Sequence, residues 1–357
     1  MSLSRSCLWV AAYFIGELIL SISVGAAEAP KQLRDLIDGA KKEGRVVYAT
    51  SGEAPELIRK LGQSFNKKFS FTIELQGVPL QASAATTRIL QEKAANRLSF
   101  DITHPSYPLV QRLLGKGVLA DYDWIGVFGE ILPRIREAAT NVPAHLKNKV
   151  LDYQHLAYVG LYNSSMVAKN EAPKKWQDLL QPKWKGRKII LDPRGTSLYL
   201  LFLEYGEKWV LDYAGKLVEQ EPLFVSGSPN IARAVAKGEA PIGITGYSNI
   251  IEQKKLGLPV ELAPFEVAGV VPQVIVPLEG GPHPNAAKLF AAWFATDGML
   301  LLQEEDGTGR AWPGTDWLMA KQLEASAVKL AFASSPEQIE SAASIVEKVA
   351  KIMQRRR

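Results

Sequence analysis

Short runs of β-forming residues alternate with helical stretches along this chain, and that alternation limits the folds it can adopt. In the first third of the chain, apolar spacing predicts helices at 32–42, 55–68 and 82–95 and strands at 45–49, 71–75 and 100–103. Strands separated by helices of this length form parallel sheets with helices packed on their faces. The pattern therefore predicts an α/β fold.

The first residues have the order of a secretory leader. Arg5 precedes an apolar run at 7–24, and small residues follow before charge resumes at Glu28. Glu17 interrupts the apolar run, which disfavours a permanent membrane anchor. We predict a signal peptide at 1–26 and a periplasmic mature protein. The chain's one cysteine, Cys7, lies inside that leader, so no disulfide is expected and stability must come from core burial.

Two later stretches, residues 152–163 and 269–279, are rich in β-formers and show no helical period. About 330 residues follow the predicted leader, which is more than one hydrophobic core usually serves, so we expect two lobes. The two extended stretches would then cross between the lobes and act as a hinge. The predicted organisation is lobe one at 27–155 plus 270–325, hinge crossings at 156–162 and 266–276, lobe two at 163–265, and a C-terminal helical tail at 326–357.

Four sequence blocks occur in an order that resembles a known family. They are LLGKGVLADYD at 113–123, VGLYNSSMVA at 159–168, EAPKKWQDLLQPKWKGRKIILDPRGTS at 171–197, and GPHPNAAKLFAAWFAT at 281–296. Together they resemble the extracellular solute-binding proteins of bacterial ABC importers, in the branch that includes ferric-iron, phosphonate, polyamine and thiamine binders. The resemblance implies the type II periplasmic-binding-protein fold, in which two lobes, each a mixed sheet flanked by helices, are joined by crossing strands. It also implies a monomer that closes on its ligand and docks to an ABC permease in the inner membrane.

Polar residues that follow predicted strands are the candidate ligand contacts, because ligands of open α/β sheets gather at the carboxyl ends of strands. In lobe one these residues are Thr50, Ser51, His104 and Ser106. A lone histidine before a proline, as at His104, is also common as a structural hydrogen bonder.

In lobe two the turn after the strand at 188–191 provides Arg194, Thr196 and Ser197 at a predicted helix start. The guanidinium of Arg194 could clamp a carboxylate or phosphonate with two parallel hydrogen bonds, or it could be a solvated surface group. The two hydroxyls could contact ligand or cap the helix, and both roles can coexist.

Tyr247 follows a predicted strand at the position where iron-binding relatives carry two adjacent tyrosines, but Gly246 and Ser248 flank it here. Tyr247 with His104 is the alternative ferric set implied by the resemblance. The pair is a small set for a trivalent cation that prefers several anionic oxygens. Tyr247 could instead hydrogen-bond an organic ligand or pack in the core. No resident cofactor is expected, and ferric iron enters only as an alternative transported ligand.

Other function classes lack a recognisable signature. The four histidines share no zinc-ligand spacing. The lysines and arginines at 174–188 have no aromatic platform or recognition motif beside them, so a solvated face or a partner surface is favoured over nucleic acid. No nucleophile motif indicates an enzyme, which remains an alternative on the same scaffold, as does a soluble ligand-presenting partner of a signalling receptor. The net charge of +5 favours anionic ligands only weakly, and we expect a small polar or anionic solute.

Overall fold

The computed structural model describes residues 30–50 and 53–354. The predicted signal peptide and Ser51 lie outside these residues. Among the described helices, none combines the length and the apolar character needed to cross a membrane.

Helices and strands alternate as the sequence predicts. The helices are α1 Lys31–Glu43, α2 Pro55–Phe69, α3 Ala82–Ala94, α4 Tyr107–Leu113, α5 Trp124–Phe128, α6 Ile135–Thr140, α7 Phe202–Tyr205, α8 Glu207–Glu219, α9 Ser228–Ala236, α10 Tyr247–Lys255, α11 Pro284–Trp293, α12 Met299–Asp306, α13 Leu318–Ala325 and α14 Pro336–Gln354. The strands are β1 Arg45–Thr50, β2 Glu74–Pro79, β3 Ile102–Thr103, β4 Leu151–Asn163, β5 Ile189–Leu191, β6 Leu223–Phe224, β7 Ile242–Gly246, β8 Val260–Ala263, β9 Val267–Pro277 and β10 Lys329–Ala331.

The strands form one sheet with the order β2-β1-β3-β9-β4-β7-β5-β6, and β8 and β10 pair with β4 and β9. The neighbours β2, β1 and β3 run parallel, as do β6, β5 and β7. Each parallel set ends on one of the long central strands, β9 or β4, which are antiparallel to it. The α/β fold with mixed strand directions is therefore confirmed.

The long strands β4 and β9 pair with each other and connect the two parallel sets. Residues 151–158 of β4 pair with 269–275 of β9, while 158–162 of β4 pair with β7 and the last residues of β9 pair with β3. These two strands contain most of both predicted crossings. The exact lobe boundaries remain a prediction.

Separate hydrophobic clusters lie on the two parallel sets. One cluster packs α1, α2 and α11 against β1 and contains Phe65, Phe290 and Trp293. Another packs Trp176 and Tyr213 against β5 and β7. Burial of these large aromatic side chains stabilises each cluster by removing apolar area from water. Because each half contains such a cluster, each half has its own core. We call the half with β1, β2 and β3 lobe one and the half with β5, β6 and β7 lobe two.

Two predicted elements are wrong in detail. The strand predicted at 71–75 begins only at Glu74, because the Ile73 amide bonds the side chain of Asn66 instead of a strand partner. The tail predicted as helical includes a strand, β10, which pairs with β9 before α14 begins. The helix itself is not merely a surface element, since Ile345, Val349 and Met353 are buried in the core of lobe two.

A buried arginine connects the segment after α12 to β4. Arg310 is fully buried, and one of its terminal nitrogens donates to the backbone carbonyls of Asp152 and Ala295 at 2.5 Å each. The indole of Trp312 donates to the Asp152 carboxylate at 2.6 Å. Burial lowers the pKa of Arg310, and the Asp152 and Glu137 carboxylates oppose that shift. Arg310 and Asp152 form a buried ion pair, with 3.7 Å between Nε and the carboxylate oxygen. Removing one partner of a buried ion pair typically lowers the free energy of unfolding by about 3–5 kcal/mol, so this network fixes β4 where the lobes meet.

Candidate functional site

The ends of β1 and β3, together with β4, bring three polar side chains together on lobe one. His104 is buried, and its Nδ1 lies 2.8 Å from the Tyr153 hydroxyl and 3.8 Å from a Glu53 carboxylate oxygen. Burial lowers the pKa of His104, and Glu53 opposes that shift without reversing it. The imidazole is therefore neutral at neutral pH. Its neutral ring can accept or donate one hydrogen bond at each nitrogen, according to its tautomer.

Oxygen atoms without hydrogen-bond partners surround this histidine in the described part of the chain. They include the Tyr48 hydroxyl and one carboxylate oxygen of Glu53, both buried. Burial raises the pKa of Tyr48 and of Tyr153 well above the ordinary value, and the nearby Glu53 raises both further. The lobe-one rim is thus rich in acceptors and lacks a cationic partner for Glu53 among the described residues, so a ligand with donor groups or positive charge would be complementary to it.

Two further predicted residues lie at the same rim. Thr50 is buried at the end of β1, and Ser106 makes an isolated antiparallel bridge to Gln273 of β9. The Pro105 carbonyl accepts from the Val274 amide at 3.1 Å. The turn that carries His104 and Ser106 is therefore attached to one of the shared strands.

On lobe two, the turn after β5 is organised by Asp192. Its carboxylate accepts from Nε of Arg194 at 2.9 Å and from a terminal nitrogen at 2.6 Å, and it also accepts from the Gly227 amide at 3.0 Å. Burial alone would raise the pKa of Asp192, but these hydrogen bonds outweigh burial and lower it. The Arg194 side chain is 58% exposed, so it is fixed on one edge by Asp192 while its other donors face solvent.

Thr196 faces Tyr158 of β4. Burial raises the pKa of the Tyr158 phenol, and a hydrogen bond from Thr196 opposes that shift. Ser197 is buried. The turn at 192–197 therefore touches β4 at Tyr158, whereas the lobe-one rim touches it at Tyr153. At a rise of about 3.3 Å per residue, the two contact points, five residues apart, lie about 17 Å from each other along the strand.

Tyr247 is placed differently. It is buried among apolar residues that include Met319 and Leu323, and its hydroxyl donates to Gln322 of α13 at 2.8 Å. No contact joins it to His104 in the described chain, so the predicted ferric pair is not brought together. No group of three or more His, Cys, Asp or Glu side chains within 30–50 and 53–354 has the arrangement of a metal site.

Sequence reasoning missed Glu53, Asp192 and Tyr158. Glu53 stands three residues after Thr50, in the same strand-to-helix loop, and could have been found by extending the strand-end rule. Asp192 is the first residue after β5, where an acidic side chain beside Pro-Arg-Gly could have indicated an arginine partner. Tyr158 had no signal, because its contact with Thr196 depends on how β4 crosses the molecule.

A comparison with known families identifies the family of this chain. The family model described as bacterial extracellular solute-binding protein matches residues 100–306, more than half of the chain. The chain belongs to this family. The solute-binding protein also matches an uncharacterized protein from Haemophilus influenzae with 30% identity over 174 residues, or 46% of this chain and 49% of that protein. It thus spans about half the length of this curated relative.

Solved structures share the fold of this solute-binding protein. Iron-bound HitA from Pseudomonas aeruginosa aligns with a TM-score of 0.64 and 16% identity, covering 86% of this chain and 99% of HitA. Apo ferric ion-binding protein A from Pasteurella haemolytica gives 0.65 and 15%, covering 88% and 100%. AfuA from Actinobacillus pleuropneumoniae with bound fructose-6-phosphate gives 0.59 and 17%, covering 85% and 98%. At these identities the likeness shows the fold alone, which is that of the type II periplasmic binding proteins.

Proposed function

We propose that this solute-binding protein captures a small zwitterionic solute between its lobes in the periplasm and delivers it to an ABC permease. The observation that carries the ligand class is the opposite character of the two rims. Lobe two offers the solvent-facing donors of Arg194, and lobe one offers the Glu53 carboxylate, one oxygen of which is buried without a hydrogen-bond partner among the residues that the structure describes. A solute with a carboxylate or phosphonate at one end and an amine at the other satisfies both.

Two properties of the rims support this ligand class. Asp192 holds Arg194 in a fixed orientation, which reduces the entropy lost when an anion binds. Neutral His104 leaves the Glu53 charge uncompensated within the described chain. A solute that bridges both rims would favour a closed arrangement by the contacts made only there, which is the physical basis of hinge closure.

Ferric iron is the second candidate. Two phenols, a carboxylate and an imidazole lie together in the lobe-one pocket of Tyr48, Glu53, His104 and Tyr153. Oxygen donors of this kind suit a hard cation, and the similar structures include iron-bound HitA and a ferric ion-binding protein A. The raised pKa values of the two buried phenols oppose this candidate, because a ferric ion would have to displace both phenolic protons.

The test is native mass spectrometry of the protein purified from its own cells with its bound solute. We expect a solute mass whose fragmentation reveals both an acidic and an amine group. Arg194→Ala and Glu53→Gln should each reduce occupancy by roughly tenfold or more, since each removes a charge-assisted hydrogen bond.

Matched controls are Arg233→Ala on α9 and Glu56→Gln on α2, exposed residues with the same charge changes. Equal loss of occupancy in the controls, or none in Arg194→Ala and Glu53→Gln, would refute the proposed contacts. Retention of an iron-sized mass with a phenolate charge-transfer absorption would favour the ferric candidate instead.

A further inference from the structure

A groove of about 740 Å³ opens on lobe two, bordered by α10, β8, α13 and the loop at 169–175. Its wall includes Tyr247, the residue after β7, and Lys174 and Lys175, which begin the basic stretch at 174–188. The proposed interlobe site uses neither Tyr247 nor this basic stretch. Neither Arg194 nor His104 borders the groove. The groove is therefore separate from the two rims described above.

The rim of this groove is lined by lysines, beside which the Asp178 carboxylate accepts from the backbone amides of Lys174 and Lys175 at 2.9 and 3.0 Å. Lys169, Lys174 and Lys175 are exposed and form no ion pair with any described residue. The fourth lysine, Lys254, pairs with Glu261 at 2.6 Å. That pair uses one of the two carboxylates in the wall.

The other carboxylate in the wall, Glu266, is also occupied. It accepts hydrogen bonds from the Trp176 amide and the Tyr205 hydroxyl, both at 3.0 Å. Neither acidic group is therefore available to the three free ammonium groups. The charge left over at the rim is positive, and it is complementary to an anion.

The inner wall is mostly apolar. Ile250, Leu262, Ala263 and Pro264 contribute to it, and the Tyr247 hydroxyl bonded to Gln322 adds a polar point. A cavity of several hundred cubic ångströms with apolar walls and a few polar groups has the dimensions of small-molecule sites. An occupant that matches this wall has an apolar body as well as a charge.

We propose that this groove binds a small organic anion with an apolar body, such as an aryl or alkyl sulfonate or carboxylate. The apolar body lies against α10 and β8, and the anionic group meets Lys174 and Lys175 at the rim. This site acts in addition to the interlobe site and does not depend on the solute proposed for it.

The probe for this site is 1-anilinonaphthalene-8-sulfonate, an aromatic sulfonate whose fluorescence rises in apolar surroundings. The full chain is titrated as wild type and as the double variant Lys174→Glu/Lys175→Glu. The matched control is Lys185→Glu/Lys188→Glu, which reverses two exposed charges in the same stretch of sequence, where Lys185 pairs with Glu221 and Lys188 donates to the Lys183 carbonyl, outside the groove. The variant Arg194→Ala tests whether the probe binds between the lobes instead of in the groove.

We expect one saturable site that Lys174→Glu/Lys175→Glu weakens by at least about tenfold, because charge-assisted contacts become repulsive. The control should stay within about twofold, because distant exposed charges are screened. Arg194→Ala should also leave binding unchanged. The double variant Lys174→Gln/Lys175→Gln removes the two charges without reversing them, so it should weaken probe binding less than charge reversal does. It replaces the glutamate variant if charge reversal impairs folding.

Three results would overturn the proposal. Both double variants could weaken the probe equally, which would indicate a diffuse charge effect. Arg194→Ala could abolish binding, which would place the probe between the lobes. Polyglutamate could bind through Lys174 and Lys175 while the sulfonate does not, which would identify an acidic protein segment as the occupant.

Discussion

His104 is the residue at which burial and charge act against each other most directly. Burial favours its neutral form, whereas Glu53 favours the protonated form, and burial dominates. The groups that face it also include the phenols of Tyr48 and Tyr153. A protonated imidazole would neutralise the carboxylate that we propose for binding the amine of the solute, so the lowered pKa keeps this rim acidic in character.

This balance predicts how stability depends on pH. The pKa of histidine in the unfolded chain is about 6.5, and the pKa of His104 in the folded protein is lower. As the pH falls through the unfolded value, the unfolded state therefore binds more protons than the folded state. The contribution of His104 to stability should therefore decrease from pH 7.5 to pH 5. Urea unfolding measures the free energy of unfolding of wild type and of His104→Gln at each pH. The difference between the two proteins should become smaller as the pH is lowered. A difference that stays constant or grows would contradict the lowered pKa.

The sequence alone predicts that His104, Ser106 and Arg194 follow strands, and the structure places them there, because strand ends can be read from local pattern. It could not show that Arg194 is held by Asp192 or that Glu53 lacks a cation in the described chain. Those facts depend on side-chain partners chosen by tertiary packing. Tyr247 shows the same limit, since the position after β7 is readable but the direction of the side chain toward α13 is not.

At the level of elements, α14 supports the turn at 192–197. Gly195 adopts a φ of +70°, and a β-carbon placed there would lie 2.5 Å from a methyl carbon of Val349. The Gln354 amide also reaches the Pro193 carbonyl at 3.5 Å. The C-terminal helix therefore packs directly against the turn that presents Arg194.

Gly195→Ala should lower the free energy of unfolding by about 2–4 kcal/mol, because it combines a left-handed backbone with a clash against α14. The matched control is Gly186→Ala, at φ +80° with open space around the added carbon, which should cost only about 1–2 kcal/mol. Thermal or urea unfolding measures both. Equal losses in the two variants would show that α14 does not press on the turn.

The tail illustrates which elements the sequence predicts well. The period of Ile339, Ala342, Ile345 and Val349 identifies α14 correctly, because a helix carries its own signal. The three-residue strand β10 has no comparable signal and exists only because β9 offers it an edge. The late start of β2 likewise depends on a tertiary contact, since the Ile73 amide donates to the Asn66 side chain instead of to a strand partner.

At the scale of the whole molecule, the antiparallel strands β4 and β9 join two halves that each have a core, and a further apolar cluster that includes Val110, Leu200 and Ile339 packs across both halves. The long β-rich stretches without helical period predict these strands, and the family resemblance predicts their role. Neither predicts the Arg310 network with Asp152, whose members lie 158 residues apart in sequence. This network fixes β4 at the lobe-one end, while Tyr158 and Thr196 meet at the lobe-two end. A small solute held at both ends would join the two rims across the strand.

Hydrogen exchange followed by mass spectrometry tests whether one solute touches both rims. Protein purified with its bound solute is compared with the same protein stripped by unfolding and refolding. Peptides that cover 100–108 and 190–200 should both exchange more slowly in the loaded protein, and the groove loop at 169–175 should be unchanged. Protection confined to one rim, or absent from both, would contradict capture between the lobes.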